Sequence, residues 1–267
     1  MITGLDIGVT IDEIKLGEGV NTVIRVGNTI RRTSGEWSGS VHALLKHLRN
    51  HGFFSAPEPL GFDEKGREIL SYIEGEAGIY TLTADARSRV ALVSAAKLLR
   101  SYHDATVDFV SSYKGTWQLK NHPPLEVLCH GDYAPYNGVY RKNKIIGIID
   151  FDMAHPGSRI WDIAFAVYRF APITTPENKD GFGTLEEQAE RVKLFCDAYD
   201  FHEREKLIPT VLERISAVVE FLYARADSGN KIYQQFVAGG HDQIYLNDLN
   251  YINDNAGFFT KNITNDF

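Results

Sequence analysis

The sequence has 267 residues, of which 43% are hydrophobic and 24% charged, and its formal net charge is -7. This length is enough for one large domain or two lobes with a buried core, and the composition is that of a globular protein. The acidic balance argues against nucleic acid and anionic membranes as partners, and no apolar run reaches the roughly 18 residues of a membrane span. The N-terminus has no secretory-signal pattern, and two cysteines are too few for a disulfide framework, so we expect a cytoplasmic protein.

The negative charge is concentrated in one region. Residues 177–254 contain 15 Asp and Glu against 8 Lys and Arg, a difference of -7, and the rest of the chain is neutral. Such a surface favours a cationic small molecule as partner. The same pattern also fits solvated helix faces, so both interpretations stay open.

Residues 1–76 read mostly as strands. "NTVIRVGN" and "TIRRTS" are β-branched runs separated by Gly27 and Asn28, a pair that predicts a hairpin turn. The glycine loop "LGEG" at 16–19 precedes them. "SVHALLKHLRNHGF" predicts one helix that ends at Gly52, and "REILSYI" at 67–73 predicts another strand.

The hydrophobic period changes after residue 76. The segment 83–104, "TADARSRVALVSAAKLLRSYHD", predicts one amphipathic helix. Two short strands, "LEVLCH" and "KIIGIID", flank the polar loop at 130–137. Beyond residue 160 the pattern is helical, and "TKNITNDF" at the end predicts a frayed tail.

These elements predict an α+β protein of two lobes. Residues 1–76 would form a small β-rich lobe with one helix, and residues 77–267 a larger, mainly helical lobe that carries the polar loop. A cleft between two lobes is a usual place for a ligand.

The segments "LCHGDYAPYNGVY" and "IIGIIDFDMAHPG" bear the side chains that predict chemistry. Asp132 follows a strand and a glycine, where a carboxylate can accept a proton from a substrate hydroxyl. Asn137 and Asp150 offer hard oxygen ligands suited to Mg²⁺, and a shared cation would offset the cost of the carboxylate that ends an apolar strand. A base, a metal-ligand amide and a metal-ligand carboxylate are the components of kinase-type phosphoryl transfer.

The same residues resemble a known family. "HGDYAPYN" resembles the H-G-D-x-x-x-x-N signature of the aminoglycoside phosphotransferases, and "IIDFD" is similar to the D-F-G segment of kinases. "WDIAF" at 161–165 and "LLRSYHDA" resemble further segments of that family, in the right order. The resemblance covers about residues 14–256 and is strongest over 130–165.

The resemblance implies a two-lobed protein-kinase-like fold and assigns roles to the loop residues. Asp132 would be the catalytic base, and Asn137 and Asp150 the ligands of Mg²⁺. Asp162 would brace the catalytic loop, and the ring of His130 would support the loop's backbone.

The nucleotide, ATP or GTP, would lie between the lobes. By resemblance, the backbone of Ser71, Tyr72 and Ile73 would form the hinge that meets the purine. Gly17 and Gly19 would lie in the loop over the phosphates.

The N-terminal lobe departs from the family pattern in its glycine loop, which has two glycines rather than three, and at one pair of residues. The family has a Lys in the third strand, paired with a helix Glu, whereas "TIRRTS" has Arg31 and Arg32 and "SVHALLKHL" has no Glu. Because neighbouring strand residues face opposite sides, only one arginine can point into the cleft, and we predict Arg31. Either His42 takes the place of the Glu, or no residue does.

Other interpretations of the polar segments fit less well. A D-x-D phosphatase usually has a threonine two residues after the second Asp, where this chain has Ala154, and no parallel βαβ pattern surrounds the motif. A glycosyltransferase D-x-D has even less support. A zinc pair of His130 and Asp132 lacks a third ligand. A role in capping a turn would explain Asp132 alone. It would not explain why Asn137, Asp150 and Asp162 also occur at the spacing of the family pattern.

The sequence therefore predicts an enzyme that transfers the γ-phosphate of a nucleoside triphosphate to a hydroxyl of a small acceptor such as an aminoglycoside. The resemblance also implies other possible acceptors, because relatives of similar shape act on choline, homoserine, macrolides and sugars. The alternative is a kinase-like nucleotide-binding protein with weak or no catalysis, which the missing Lys–Glu pair motivates.

Overall fold

The smaller lobe is built on a five-stranded antiparallel sheet. The structure, a computed structural model, describes residues 13–18, 22–78 and 82–264. The strands lie in the order β1-β2-β3-β5-β4. Their bounds are Glu13–Glu18 (β1), Thr22–Val26 (β2), Thr29–Arg32 (β3), Pro59–Phe62 (β4) and Glu68–Ser71 (β5).

The predicted hairpin and helix of this lobe are confirmed. Val26 pairs with Thr29 across the Gly27–Asn28 turn, and Gly27 has the positive φ of 58° that such a turn requires. Helix α1, Ser38–Asn50, connects β3 to β4 and buries its leucine face, and Gly52 follows it at φ 78°.

Two small sheets belong to the larger lobe. Strands β6 (Glu76–Ala77), β8 (Gly138–Arg141) and β9 (Lys144–Ile148) form one, in the order β6-β8-β9. Strand β7 (Val127–Cys129) pairs with β10 (His155–Gly157) in the other. The chain leaves the first sheet after Ser71 and joins the second at Glu76, and the boundary at residue 76 stays a prediction.

Helices make up the rest of the larger lobe. They are Ala84–Arg87 (α2), Arg89–Asp104 (α3), Val107–Ser112 (α4), Arg159–Phe170 (α5), Leu185–Tyr199 (α6), Leu207–Asp227 (α7), Lys231–Ala238 (α8), His241–Asp254 (α9) and Ala256–Thr264 (α10). None of the helices in the described part of the chain is long and apolar enough to cross a membrane. The predicted α+β architecture of two lobes is confirmed.

Two predicted elements differ in the structure. The single helix over 83–104 is divided at Ser88, whose backbone is extended and whose hydroxyl caps α3 by accepting from Ala91 N. The predicted frayed tail is helical as far as Thr264, because Phe259 and Ile263 are fully buried against the helical lobe.

Candidate active site

The predicted base and the two predicted metal ligands lie between β7 and β8 and just after β9. Asp132 follows β7, Asn137 ends a short 3-10 turn, and Asp150 follows β9. The carbonyl of Asn137 accepts a hydrogen bond from Ile149 N at 2.9 Å. This bond connects the polar loop at 130–137 to the residue before Asp150. The β8-β9 hairpin therefore brings these residues together.

Two neighbours hold the carboxylate of Asp132. Asn137 Nδ2 donates to the Asp132 carbonyl and to its Oδ2, both at 2.9 Å, and Tyr136 Oη donates to its Oδ1 at 2.5 Å. Burial raises the pKa of Asp132 to about 6, against the effect of the Tyr136 hydrogen bond, and the charge of Asp150 raises it further. A carboxylate with this pKa is suited to act as a general base near neutral pH.

The ring of His130 joins the loop to the strand that carries Asp150. Its Nδ1 accepts from Asp132 N at 3.3 Å, and its Nε2 lies 3.1 Å from the carbonyl of Ile149. Burial lowers the pKa of His130, which keeps the ring neutral, with the proton on Nε2. The side chain thus fixes the backbone of Asp132 relative to that of Asp150.

Asp162 fixes the start of the same loop. Its Oδ2 accepts from His130 N at 2.7 Å and its Oδ1 from Gly131 N at 3.0 Å. Gly131 has φ 78°, and a Cβ there would lie 2.1 Å from the Met153 carbonyl, so only glycine fits.

A second layer of side chains orients Asp162. His103 Nε2 lies 3.0 Å from its Oδ2, and His103 Nδ1 lies 2.6 Å from the hydroxyl of Tyr199. Burial alone would raise the pKa of Asp162, but the hydrogen bond and charge of His103 and the loop N–H groups lower it to about 2.

Arg32, rather than the predicted Arg31, reaches the C-terminal part of the site. Arg32 Nη1 donates to Asp150 Oδ1 at 2.9 Å and Nη2 to Asp152 Oδ1 at 2.5 Å. Arg31 lies on the opposite face of β3 and donates to Thr29 Oγ1 within its own strand. Of the two arginines, Arg32 thus contacts Asp150 and Asp152 and Arg31 does not. The sequence does not reveal which face of β3 turns inward.

The carboxylate that pairs with this arginine comes from a strand and not from the helix. Glu68 in β5 lies opposite Arg32 in register and accepts from its Nε at 2.6 Å. Glu68 is fully buried, and His42 Nε2 on α1 lies 3.2 Å from its other oxygen. His42 therefore contacts the acid instead of replacing it.

The predicted nucleotide-binding backbone is only partly available. Ser71 N donates to the Glu58 carbonyl and Tyr72 N to the Asn28 carbonyl, so both N–H groups are already satisfied. Ile73 packs against Gly147 of β9, where the chain crosses between lobes. Gly17 lies within β1, and Gly19 lies outside the described residues.

Sequence reasoning did not single out three residues of this site. Tyr136 lies inside the quoted motif, and its place next to Asn137 was an available signal. Asp152 is the second acid of "IIDFD", which was weighed only as part of a D-x-D motif. Glu68 gave no local signal, since it meets Arg32 only through the pairing of β3 with β5.

Two arginines of the acidic region and one of α5 contact the polar loop or its neighbours. Arg214 of α7 donates to the Gly131 carbonyl at 2.5 Å, and Arg225 donates to Gln118, which in turn donates to the Asp152 carbonyl. Arg169, which precedes the acidic region in α5, lies over the ring of Tyr136 at 5.5 Å. The charges nearest to Asp132 on this side therefore do not by themselves favour a cationic acceptor.

The donor set fits a magnesium ion that shares its coordination with phosphates and water. The amide nitrogen of Asn137 donates to Asp132, so the amide oxygen of Asn137 points away from Asp132 and is available to a metal. Asp150 adds a carboxylate. Among the described residues, no three His, Cys, Asp or Glu side chains form a metal-binding group. Mg²⁺ usually takes one or two protein oxygens and completes its shell with substrate oxygens and water.

A cavity of about 1090 Å³ lies elsewhere in the larger lobe. Residues of α3, α4, the start of α5 and the end of α6 line it, and they include Arg100, Arg159, Tyr199 and Asp200. None of the predicted site residues lines it. Some of the acidic excess thus faces this cavity instead of the catalytic loop.

Comparisons with known proteins agree with this geometry. The model of the phosphotransferase enzyme family (APH) matches residues 115–195, which include the catalytic loop and the "IIDFD" segment. The trifolitoxin immunity protein of Rhizobium leguminosarum bv. trifolii is 34% identical over 204 residues, which is 73% of this chain and 77% of the relative.

Solved structures share the fold at low sequence identity. A choline/ethanolamine kinase family protein from Mesorhizobium loti has a TM-score of 0.60 at 16% identity, with 92% of this chain and 94% of that chain covered. The streptomycin–ATP ternary complex of APH(2″)-IIa has a TM-score of 0.52 at 15% identity, with 92% and 97% covered. On the family match and the relative, this chain belongs to the phosphotransferase enzyme family and is a phosphotransferase with a kinase-like fold.

Proposed function

We propose that the protein is a small-molecule kinase that transfers the γ-phosphate of ATP or GTP to a hydroxyl of a small acceptor. The observation that carries this proposal is the contact set around Asp132. Its carboxylate is held by Asn137 and Tyr136, its pKa is raised to about 6, and the next segment of the site bears Asp150. These are the side chains that a phosphoryl transfer to an alcohol requires.

In this proposal Asp132 accepts the proton of the acceptor hydroxyl while the oxygen attacks the γ-phosphorus. The bond from the γ-phosphorus to the oxygen that bridges it to the β-phosphate breaks, and the nucleoside diphosphate leaves with that oxygen. Asn137 and Asp150 would hold Mg²⁺, which supplies neutralisation of the phosphate charge. His130 and Asp162 hold the loop so that the Asp132 carboxylate does not move away from the reacting hydroxyl.

The acceptor class is best searched among compounds that bear hydroxyl groups and act on bacteria. The related immunity protein, by its name, protects against a toxin, trifolitoxin. This supports a protective modification of a toxic compound as the biological role. Aminoglycosides, macrolides, choline and ethanolamine belong in the same screen, because structures with this fold include proteins named for these acceptors.

The test is incubation of the purified protein with ATP or GTP, Mg²⁺ and this panel, followed by mass spectrometry. A kinase yields one acceptor with the mass of one phosphate group added and an equal amount of nucleoside diphosphate. Asp132→Asn is the matched control, and it should form both products more slowly by about two orders of magnitude or more.

A nucleotide-binding protein with weak or no catalysis is the second candidate. This candidate is favoured by the contact of Arg32 with Asp150, because the guanidinium occupies one carboxylate oxygen of the residue that would bind the metal. Mg²⁺-dependent nucleotide binding without turnover on the whole panel would support this candidate over the kinase.

A further inference from the structure

The guanidinium of Arg32 has a different carboxylate on each of its three nitrogens. Nε contacts Glu68 at 2.6 Å, Nη1 contacts Asp150 at 2.9 Å, and Nη2 contacts Asp152 at 2.5 Å. The Arg32 side chain is 7% exposed, so these contacts are largely shielded from water. Charge-assisted contacts in such surroundings are stronger than those on an open surface.

The three acids hold Arg32 from both lobes. Glu68 is fully buried in β5 and lies opposite Arg32 in register, so this contact is part of the small sheet. Asp150 and Asp152 follow β9 in the larger lobe. Asp150 has φ 64°, in the left-handed region, and its side chain remains 45% exposed. The exposed end of the cluster is therefore the one assigned to the metal.

The charge of the cluster leaves room for a divalent cation. Three ionised carboxylates and one guanidinium carry an excess of two negative charges. A divalent cation at Asp150 would balance that excess, but it would lie close to the positive guanidinium, which already contacts the same carboxylate. Cation and arginine therefore compete for Asp150 unless Arg32 receives another anion.

We propose that Arg32 is an internal counter-cation for Asp150, which it releases to the metal when a triphosphate offers it phosphate oxygens instead. This inference rests on the proposed function, because it concerns the same nucleotide site. Arginine binds phosphate oxygens with two parallel hydrogen bonds. Arg32 can therefore exchange Asp150 for the triphosphate and still have an anion beside its guanidinium. Glu68 keeps the side chain in place during the exchange. As a result, metal and triphosphate bind with positive coupling, and Arg32 is the residue through which they are coupled.

The first experiment measures Mn²⁺ binding to the protein without nucleotide, by calorimetry or electron paramagnetic resonance. Arg32→Met should tighten this binding by about tenfold, within the range usual for coupled sites, because the competing cation is gone. Arg31→Met is the comparison variant, since Arg31 lies on the other face of the same strand, and it should leave Mn²⁺ affinity as in the wild type.

The second experiment measures binding of a non-hydrolysable ATP analogue in EDTA. Asp150→Asn should tighten this metal-free binding by about tenfold, because Arg32 becomes available to the phosphates. The double variant Asp150→Asn with Arg32→Met should lose the gain. If the gain persists in the double variant, the loss of a negative charge explains it and the proposal is wrong.

Arg32→Met leaves Glu68 buried without its main partner and could prevent folding. Arg32→Lys is therefore included, since an ammonium keeps a charge beside Glu68 but cannot contact three carboxylates in a fork. It should fold, by circular dichroism, and bind Mn²⁺ more tightly than the wild type. Unchanged Mn²⁺ affinity in both variants overturns the inference and leaves the kinase proposal standing. Absence of any nucleotide binding, with or without metal, overturns both.

Discussion

At the scale of single residues, the proposed mechanism depends most on the carboxylate of Asp132. Asp132→Asn keeps the size and the contact with Asn137 but removes the proton acceptor. We expect turnover to fall by about two orders of magnitude or more, with the fold unchanged. Steady-state kinetics and a thermal unfolding curve of the same preparation measure the two effects. Activity near that of the wild type would remove Asp132 from the role of base.

The raised pKa of Asp132 predicts a pH dependence. The carboxylate must be ionised to accept a proton, so kcat/KM should decrease about tenfold per pH unit below pH 6. Tyr136→Phe removes a hydrogen bond that lowers this pKa, so the decrease should begin at higher pH in that variant. A profile of kcat/KM from pH 5 to 8 for both proteins measures the shift. Superimposable profiles would show that another group titrates.

At the scale of elements, one carboxylate at the start of α5 holds the loop that follows β7. Asp162→Asn keeps the shape but weakens the contacts to His130 N, Gly131 N and His103. Because Asp162 is fully buried, we expect the free energy of unfolding to fall by about 3 kcal/mol. Urea denaturation measures it. Asp254→Asn, at an exposed position of α9, is the control and should change little.

The same contacts predict how acid affects this element. The pKa of Asp162 is lowered in the folded protein to about 2, so its contribution to stability is complete above its ordinary value near 3.8. That contribution is lost as the pH falls from about 4 to about 2. Wild type and Asp162→Asn should therefore differ in stability at pH 6 and become more alike toward pH 2.

Sequence patterns were most informative at the scale of elements. The helix α1, the hairpin at Gly27 and the "HGDYAPYN" loop were predicted because each depends on residues close together in the chain. The break at Ser88 was missed, since a polar residue in a helical pattern does not reveal whether its hydroxyl faces solvent or caps the next turn. The buried end of α10 was missed because its partners lie far away in sequence.

At the scale of the whole molecule, the last helix closes the helical lobe. Phe259 is fully buried where α10 contacts α6 and α7, whereas Lys261 is exposed. Phe259→Ala should lower the free energy of unfolding by about 4 kcal/mol through the cavity that it leaves. Lys261→Ala should have little effect, and denaturant unfolding of both variants checks this. A small change for Phe259→Ala would mean that α10 unfolds separately from the lobe.

The sequence by itself determined which segment carries the candidate site, because Asp132, Asn137 and Asp150 lie within one short stretch whose hairpin brings them together. It also determined the two-lobed architecture and the family. Only the tertiary structure decided that Arg32, and not Arg31, enters the site and that Glu68 pairs with it. These contacts join residues 36 to 120 positions apart. They depend on the face that β3 turns inward and on its register with β5, which are set by the packing of the whole lobe and not by local spacing.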